Sequence, residues 1–135
     1  MRVLIDSNVL FSAIYQKSSV PHQAYSKAVE SPYQCLICDE SIEELRDAYE
    51  MKLPHLIAEM EDFIAAAKLV VELVPVPEVF LQEEKFIRDP DDAMIIRAAI
   101  AANADILISG DKDFLESGIM HPRIITAAQF VQNDF

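Results

Sequence analysis

Val3-Leu4-Ile5-Asp6-Ser7-Asn8 opens the chain with an apolar run that stops abruptly at a carboxylate. Ile106-Leu107-Ile108-Ser109-Gly110-Asp111-Lys112-Asp113 repeats the pattern near the other end. Each apolar run reads as a short strand buried on both faces. In open parallel α/β sheets, ligands bind outside the carboxyl ends of the strands, so both motifs point their aspartates at such a place. Between them in sequence, Asp89-Pro90-Asp91-Asp92 opens an apolar helix. Acids converging in this way repel one another unless a cation binds or some of them stay protonated. A divalent-metal site is the leading expectation.

The segments around these motifs alternate. Strands are expected at residues 2–5, 34–37, 70–76, 106–108 and 123–125. Helices are expected at 20–30, 41–49, 56–69, 78–87 and 91–102, with a last short one capped by Thr126. Strands alternating with helices mean a parallel sheet covered on both faces. With 135 residues and neither repeat nor linker, a single domain spanning 1–135 is expected.

Composition narrows the function. Hydrophobic residues make up 52% of the chain, which excludes intrinsic disorder. A net charge of −12 argues against a general phosphate-binding surface, since that affinity comes from Lys and Arg. It leaves room for a nucleic-acid enzyme that meets phosphate through bound metal. The longest apolar stretch, 95–104, carries Arg97 and is too short to span a bilayer, so no membrane association and a cytoplasmic location are expected. The lone pair Cys35 and Cys38 lacks the partners of a zinc site and reads as buried strand residues.

Each acid has a structural explanation to set against a functional one. Asp6 can cap a turn, but the first strand is normally central in such a sheet and borders its switch point. Asn8 is placed to orient neighbouring carboxylates, or to make a local turn bond. Asp89 before Pro90 has the form of a helix N-cap, whereas Asp92 begins a helix that must lie against the core. Asp91 stays undecided. Gly110 gives the fourth strand a tight exit that gathers Ser109, Asp111 and Asp113 into a small volume. Ser41 with Glu44 three residues on matches a capping box, so Glu44 stands evenly between cap and ligand.

Taken together, these motifs resemble the PIN domain, a family of metal-dependent ribonucleases. Leu4-Ile5-Asp6-Ser7-Asn8-Val9-Leu10 is similar to its opening motif. Asp89-Pro90-Asp91-Asp92 with the alanine-rich helix after it, and Ala104 through Leu115, are similar to its later ones. The resemblance implies a three-layer α/β sandwich around a five-stranded parallel sheet. It implies catalysis by Asp6, Glu44, Asp92 and Asp111, with Mg²⁺ or Mn²⁺ held by Asp6, Asp92, Asp111 and Asp113. Asn8 and Ser109 are supporting residues. Also implied are an RNA substrate, an antitoxin partner in a prokaryotic toxin–antitoxin pair and a homodimer. Lys17, Arg88 and Lys112 are candidate phosphate contacts. Two rival readings are a non-catalytic binding module on the same fold and another Mg-dependent phosphoryl hydrolase. Against the second, haloacid-dehalogenase-type phosphatases carry a second aspartate where this chain has Asn8.

Overall fold

A computed structural model describes residues 1–135. Five strands form one parallel sheet: β1 (Arg2–Ile5), β2 (Gln34–Cys38), β3 (Glu72–Val74), β4 (Ile106–Ile108) and β5 (Arg123–Ile125), in the order β3-β2-β1-β4-β5. β1 is central, and the strand order reverses between β1 and β4. The seven α-helices are α1 (Ser7–Tyr15), α2 (Val20–Ala28), α3 (Asp39–Lys52), α4 (Ile57–Ala67), α5 (Pro90–Ala101), α6 (Lys112–Leu115) and α7 (Ala127–Gln132).

The alternation of side chains along a strand divides the core in two. Val3, Ile5, Cys35, Ile37, Ile106 and Ile108 share a cluster with residues of α1, α2, α3, α4 and α7. Leu4, Leu36, Leu107 and Val74 face the other way, against α5 and Phe114 of α6. Helices on both faces make the three layers, and this explains why the strands are apolar at consecutive positions after their first residues. Cys35 and Cys38 fall on opposite faces, free and buried, and burial lifts their thiols to about 12 and about 11. They are packing residues rather than a redox pair.

The structure departs from the sequence reading in several places. α1 follows β1 with no connecting loop, because Asp6 both ends the strand and caps the helix. A four-residue helix, α6, likewise starts directly after Asp111, where a loop was expected. The strand expected over 70–76 contracts to β3 at the sheet edge. The helix expected over 78–87 forms only a 3₁₀ turn, Gln82–Phe86. That segment is pinned by Glu84, whose carboxylate takes two hydrogen bonds from the buried Arg97 of α5, at 2.7 and 3.1 Å. A third Arg97 nitrogen donates to the Pro77 carbonyl at 2.8 Å. The guanidinium therefore ties the strap to the helix that carries Asp92.

Candidate metal and catalytic site

The pairing of β1 with β4 builds the heart of the site. Ile5 pairs with Ile108, so the next residues, Asp6 and Ser109, leave the sheet side by side. The backbone N–H of Asp6 still donates to the Ile108 carbonyl at 3.0 Å, and that of Ser109 to Ile125 at 3.0 Å. The Ser109 hydroxyl then donates to Asp6 Oδ2 at 2.8 Å, while the Ser7 N–H donates to Oδ1 at 2.8 Å. Asp6 is only 5% exposed. Burial raises its carboxyl pKa; these two hydrogen bonds oppose the rise, and the charge of Asp111 adds to it.

Asp92, Asp111 and Asp113 each offer an oxygen, and these atoms lie within 4.8 Å of one another. Two different helix starts bring them together. Asp89 caps α5 by accepting from the Asp91 N–H at 2.9 Å, and Pro90 occupies the first turn, which sets Asp92 facing the sheet end. Asp111 caps α6 by accepting from the Asp113 N–H at 2.9 Å, and the Ser109 hydroxyl accepts from the Asp111 N–H at 3.1 Å. Burial pushes the Asp92 carboxyl up to about 7, with the negative charge of Asp111 as the next cause. A helix N-terminus ordinarily favours an anion, so here burial and like charge outweigh the dipole.

Glu44 stands on the far side of Asp6. The capping box expected with Ser41 does not form. α3 begins at Asp39, three residues before the position that a Ser41 cap requires, so Ser41 lies inside the helix with its hydroxyl buried and unpartnered. Glu44 is left free to accept from the Ser7 hydroxyl at 3.1 Å. Burial raises its pKa, and the charges of Asp6 and Asp91 add to this effect. Ser7 thus links the two acids: its N–H holds Asp6 and its hydroxyl holds Glu44. Asp91, exposed, contributes to the field at Glu44 and donates its N–H to the cap.

The remaining residues are placed less centrally. Asn8 is exposed and lines a cavity rather than bonding to a carboxylate. Arg88 shares a small pocket with Asp113, and Lys112 is exposed at the start of α6. Lys17 lies beyond the far end of α1, beside His22, Glu59 and Asp62, and does not join the acids. Sequence reasoning missed the Ser7 link and the Arg97–Glu84 latch. The signal for the latch was a lone arginine inside an apolar helix, which must find a buried partner.

The fold and the site define an α/β domain with a carboxylate cluster at its topological switch point. The PIN domain model matches residues 2–113, and the chain belongs to the PIN domain family. Among the solved structures that share the fold are two from bacteria. VapBC2 from Rickettsia felis, solved bound to a DNA fragment from its promoter, superposes with a TM-score of 0.67 at 16% identity, covering 93% of this chain and 98% of that one. VapC20 from Mycobacterium tuberculosis, described as a Sarcin-Ricin loop cleaving toxin, gives 0.59 at 15% identity, covering 87% and 96%. No curated protein sequence matches the chain significantly.

Proposed function

We propose that this protein is a Mg²⁺- or Mn²⁺-dependent endoribonuclease that serves as the toxin of a cytoplasmic toxin–antitoxin pair. The observation that carries the reading is the meeting of Asp92, Asp111 and Asp113 beside the buried Asp6, with none of the four in an ion pair. Partly buried, all-oxygen donors suit a hard divalent ion, and a cation at their centre would relieve the repulsion that raises Asp92. Asp92, Asp111 and Asp113 would hold it, with Asp6 closing the inner side. When bound, such an ion supplies Lewis-acid polarisation of a phosphoryl oxygen.

The chain's own groups do the rest. Asp6 is locked in one orientation by Ser109 and Ser7, so the inner wall of the site is preorganised. Glu44, aimed by the Ser7 hydroxyl and with a raised pKa, is the group best suited to hold and release a proton near an attacking water. Family membership and the toxin VapC20 among the structural neighbours support RNA as the substrate and a protein antitoxin as the partner. Exposed apolar residues, among them Leu69, Val70, Val79 and Phe80, support association with that partner and in a homodimer. No helix is long and apolar enough to cross a membrane.

Cleavage of a mixed RNA pool is the direct test. Wild-type protein with Mn²⁺ should cut it, a chelator should stop it, and Asp92→Asn and Asp111→Asn should each nearly abolish it. Cleavage that survives the chelator, or full activity in either variant, would remove the metal-dependent reading.

A further inference from the structure

Next to the acids, α1 and α3 enclose a cavity of about 380 Å³ that no step so far uses. Its volume is in the range of sites for small organic groups, about 300–1,000 Å³. α1 contributes Asn8, Phe11 and Ser12, and α3 contributes Glu44, Ala48 and Lys52. These positions recur at helical spacing on the two facing helices, so the cavity is a groove running from Glu44 to Lys52. Eight residues of helix separate those two side chains, about 12 Å at the usual rise.

Five residues give the groove its chemistry. The Phe11 ring is half-buried and held from beneath by Tyr49, with ring centroids 4.7 Å apart and the Tyr49 hydroxyl donating to the Phe11 carbonyl at 2.8 Å. It is therefore a fixed aromatic platform. Lys52 Nζ lies over the face of that ring, 5.7 Å from its centre, on an exposed side chain with no carboxylate in ion-pair contact, unlike Arg2, Arg46 and Arg97. Asn8 supplies an amide and Ser12 a hydroxyl. Glu44 joins the groove directly to the acid site.

The geometry points to this groove as a nucleotide subsite, in which Phe11 stacks a base of the RNA strand flanking the cut and Lys52 meets a phosphate further along. This assignment rests on the ribonuclease reading and adds where the strand lies. An aromatic face beside a cation is how proteins hold single-stranded nucleic acid, because every base has a π-face and every linkage a charge. A docked protein helix would ask for an apolar lining, and here only Phe11, Leu45 and Ala48 are apolar among the eight lining residues. The groove also answers the problem of net charge: at −12 the surface as a whole repels RNA, so a local cation and a stacking platform are needed to hold a strand.

Two arms test the assignment. In the first, steady-state cleavage of the RNA pool is compared for wild type, Lys52→Met, Phe11→Leu, Phe11→Tyr and Ala48→Leu. Lys52→Met, Phe11→Leu and Ala48→Leu, the last filling the groove, should raise KM about tenfold with a smaller change in kcat, and Phe11→Tyr should restore KM. Lys52→Met should also lower the salt slope of log KM by about one. In the second arm, a fluorescein-labelled single-stranded RNA oligonucleotide is titrated against Asp111→Asn protein with and without Lys52→Met, so binding is read without cleavage. A weaker Kd in the double variant is the expected result. If wild type cleaves while KM and Kd are unmoved by Lys52→Met and Ala48→Leu, the subsite is wrong and the nuclease reading stands, the groove then being left to a protein segment. If wild type fails to cleave, the nuclease reading falls, and an unmoved Kd in the second arm still overturns the subsite by itself.

Discussion

The two ends of the sheet handle negative charge in opposite ways. At the amino ends of the strands, Arg2 collects the acids: its N–H donates to Asp105 at 2.8 Å, and its guanidinium reaches Glu72 at 2.8 Å and Gln34 at 3.1 Å. Gln34 in turn donates to Glu72 at 3.0 Å. At the carboxyl ends, Asp92, Asp111 and Asp113 crowd together beside Asp6 with no ion pair to any of the four. A chain with 23 acidic and 11 basic residues cannot pair every acid, but it chooses where to leave the deficit. On an exposed surface, water would screen it. Here the deficit sits in a half-buried cleft, where desolvation makes it costly and a bound cation would relieve it.

The largest consequence should follow from supplying that cation. Binding to the native state alone stabilises by about 2.7 kcal/mol at a hundredfold excess over Kd. Thermal unfolding with millimolar Mn²⁺ should show a gain of this order in wild type and nearly none in Asp111→Asn. Without metal the order should reverse, with Asp111→Asn the more stable because a like charge has gone. Equal Mn²⁺ shifts in both proteins would mean that the acid-rich end is not where the ion binds.

pH should separate the two ends next. The folded Asp92 carboxyl, at about 7, holds its proton far more tightly than the ordinary value of 3.8 seen on unfolding. Its contribution to stability is therefore full below about pH 4 and fades as pH rises through 7. Glu72, which Arg2 holds below the usual carboxylate range, behaves oppositely: its contribution is lost only as pH falls below that range. Through the range in which Asp92 titrates, metal-free protein should lose stability on alkalinisation. Asp92→Asn should flatten the slope, and a slope unchanged in that variant would assign the titration elsewhere.

The same contrast explains what was legible in the sequence. β1, β2 and β4 are nearly continuous apolar runs because both faces are covered, and such runs are readable; β5, at the other edge, still shows the apolar pair Ile124 and Ile125. β3 is an edge strand with Glu72 and Leu73 exposed, so its limits left no pattern. α1 has Val9, Leu10, Ala13 and Ile14 at helical spacing, but nothing punctuates the step from β1, so its start leaves no signal in the sequence. The strap 78–87 has helical composition, but the buried Arg97–Glu84 pair decides its path, and partners in a tertiary contact are invisible to local propensity. At the site, motifs named the acids but not their distances. That Asp92, Asp111 and Asp113 crowd together, while Asp6 is engaged by Ser7 and Ser109 and Glu44 by Ser7, depends on register and on two helix starts.

Disturbing the paired end should matter less. Arg2→Met removes a bridge whose partners are 29% and 42% exposed, so solvent already screens it, and a loss of about 1 kcal/mol or less is expected. Cleavage should be unaffected, because the sheet end that carries the acids is untouched. A loss of activity without loss of fold would show that the two ends are coupled.

The smallest effect tests whether chemistry or position makes an acid functional. Asp6, Asp89 and Asp111 all cap helices by accepting a backbone N–H, so their local bonding is of one kind. Their surroundings differ: Asp6 is buried, Asp111 is half-buried within the cluster, and Asp89 is exposed. Asparagine caps about as well as aspartate, because its carbonyl oxygen accepts the same bond. Asp89→Asn should therefore shift stability by no more than a few tenths of a kcal/mol, a little charge–dipole attraction being lost. It should keep most of the cleavage activity and the full Mn²⁺ shift in melting temperature. In Asp111→Asn the cap is equally preserved, yet activity and the Mn²⁺ shift should both vanish. Two isosteric changes at two N-caps then differ in how strongly the lost charge acts on the other carboxylates, Asp111 standing ahead of Asp89 among the causes that raise Asp92. If Asp89→Asn proved as damaging as Asp111→Asn, charge at the head of α5 would itself belong to the site, and Asp89 would be more than a cap.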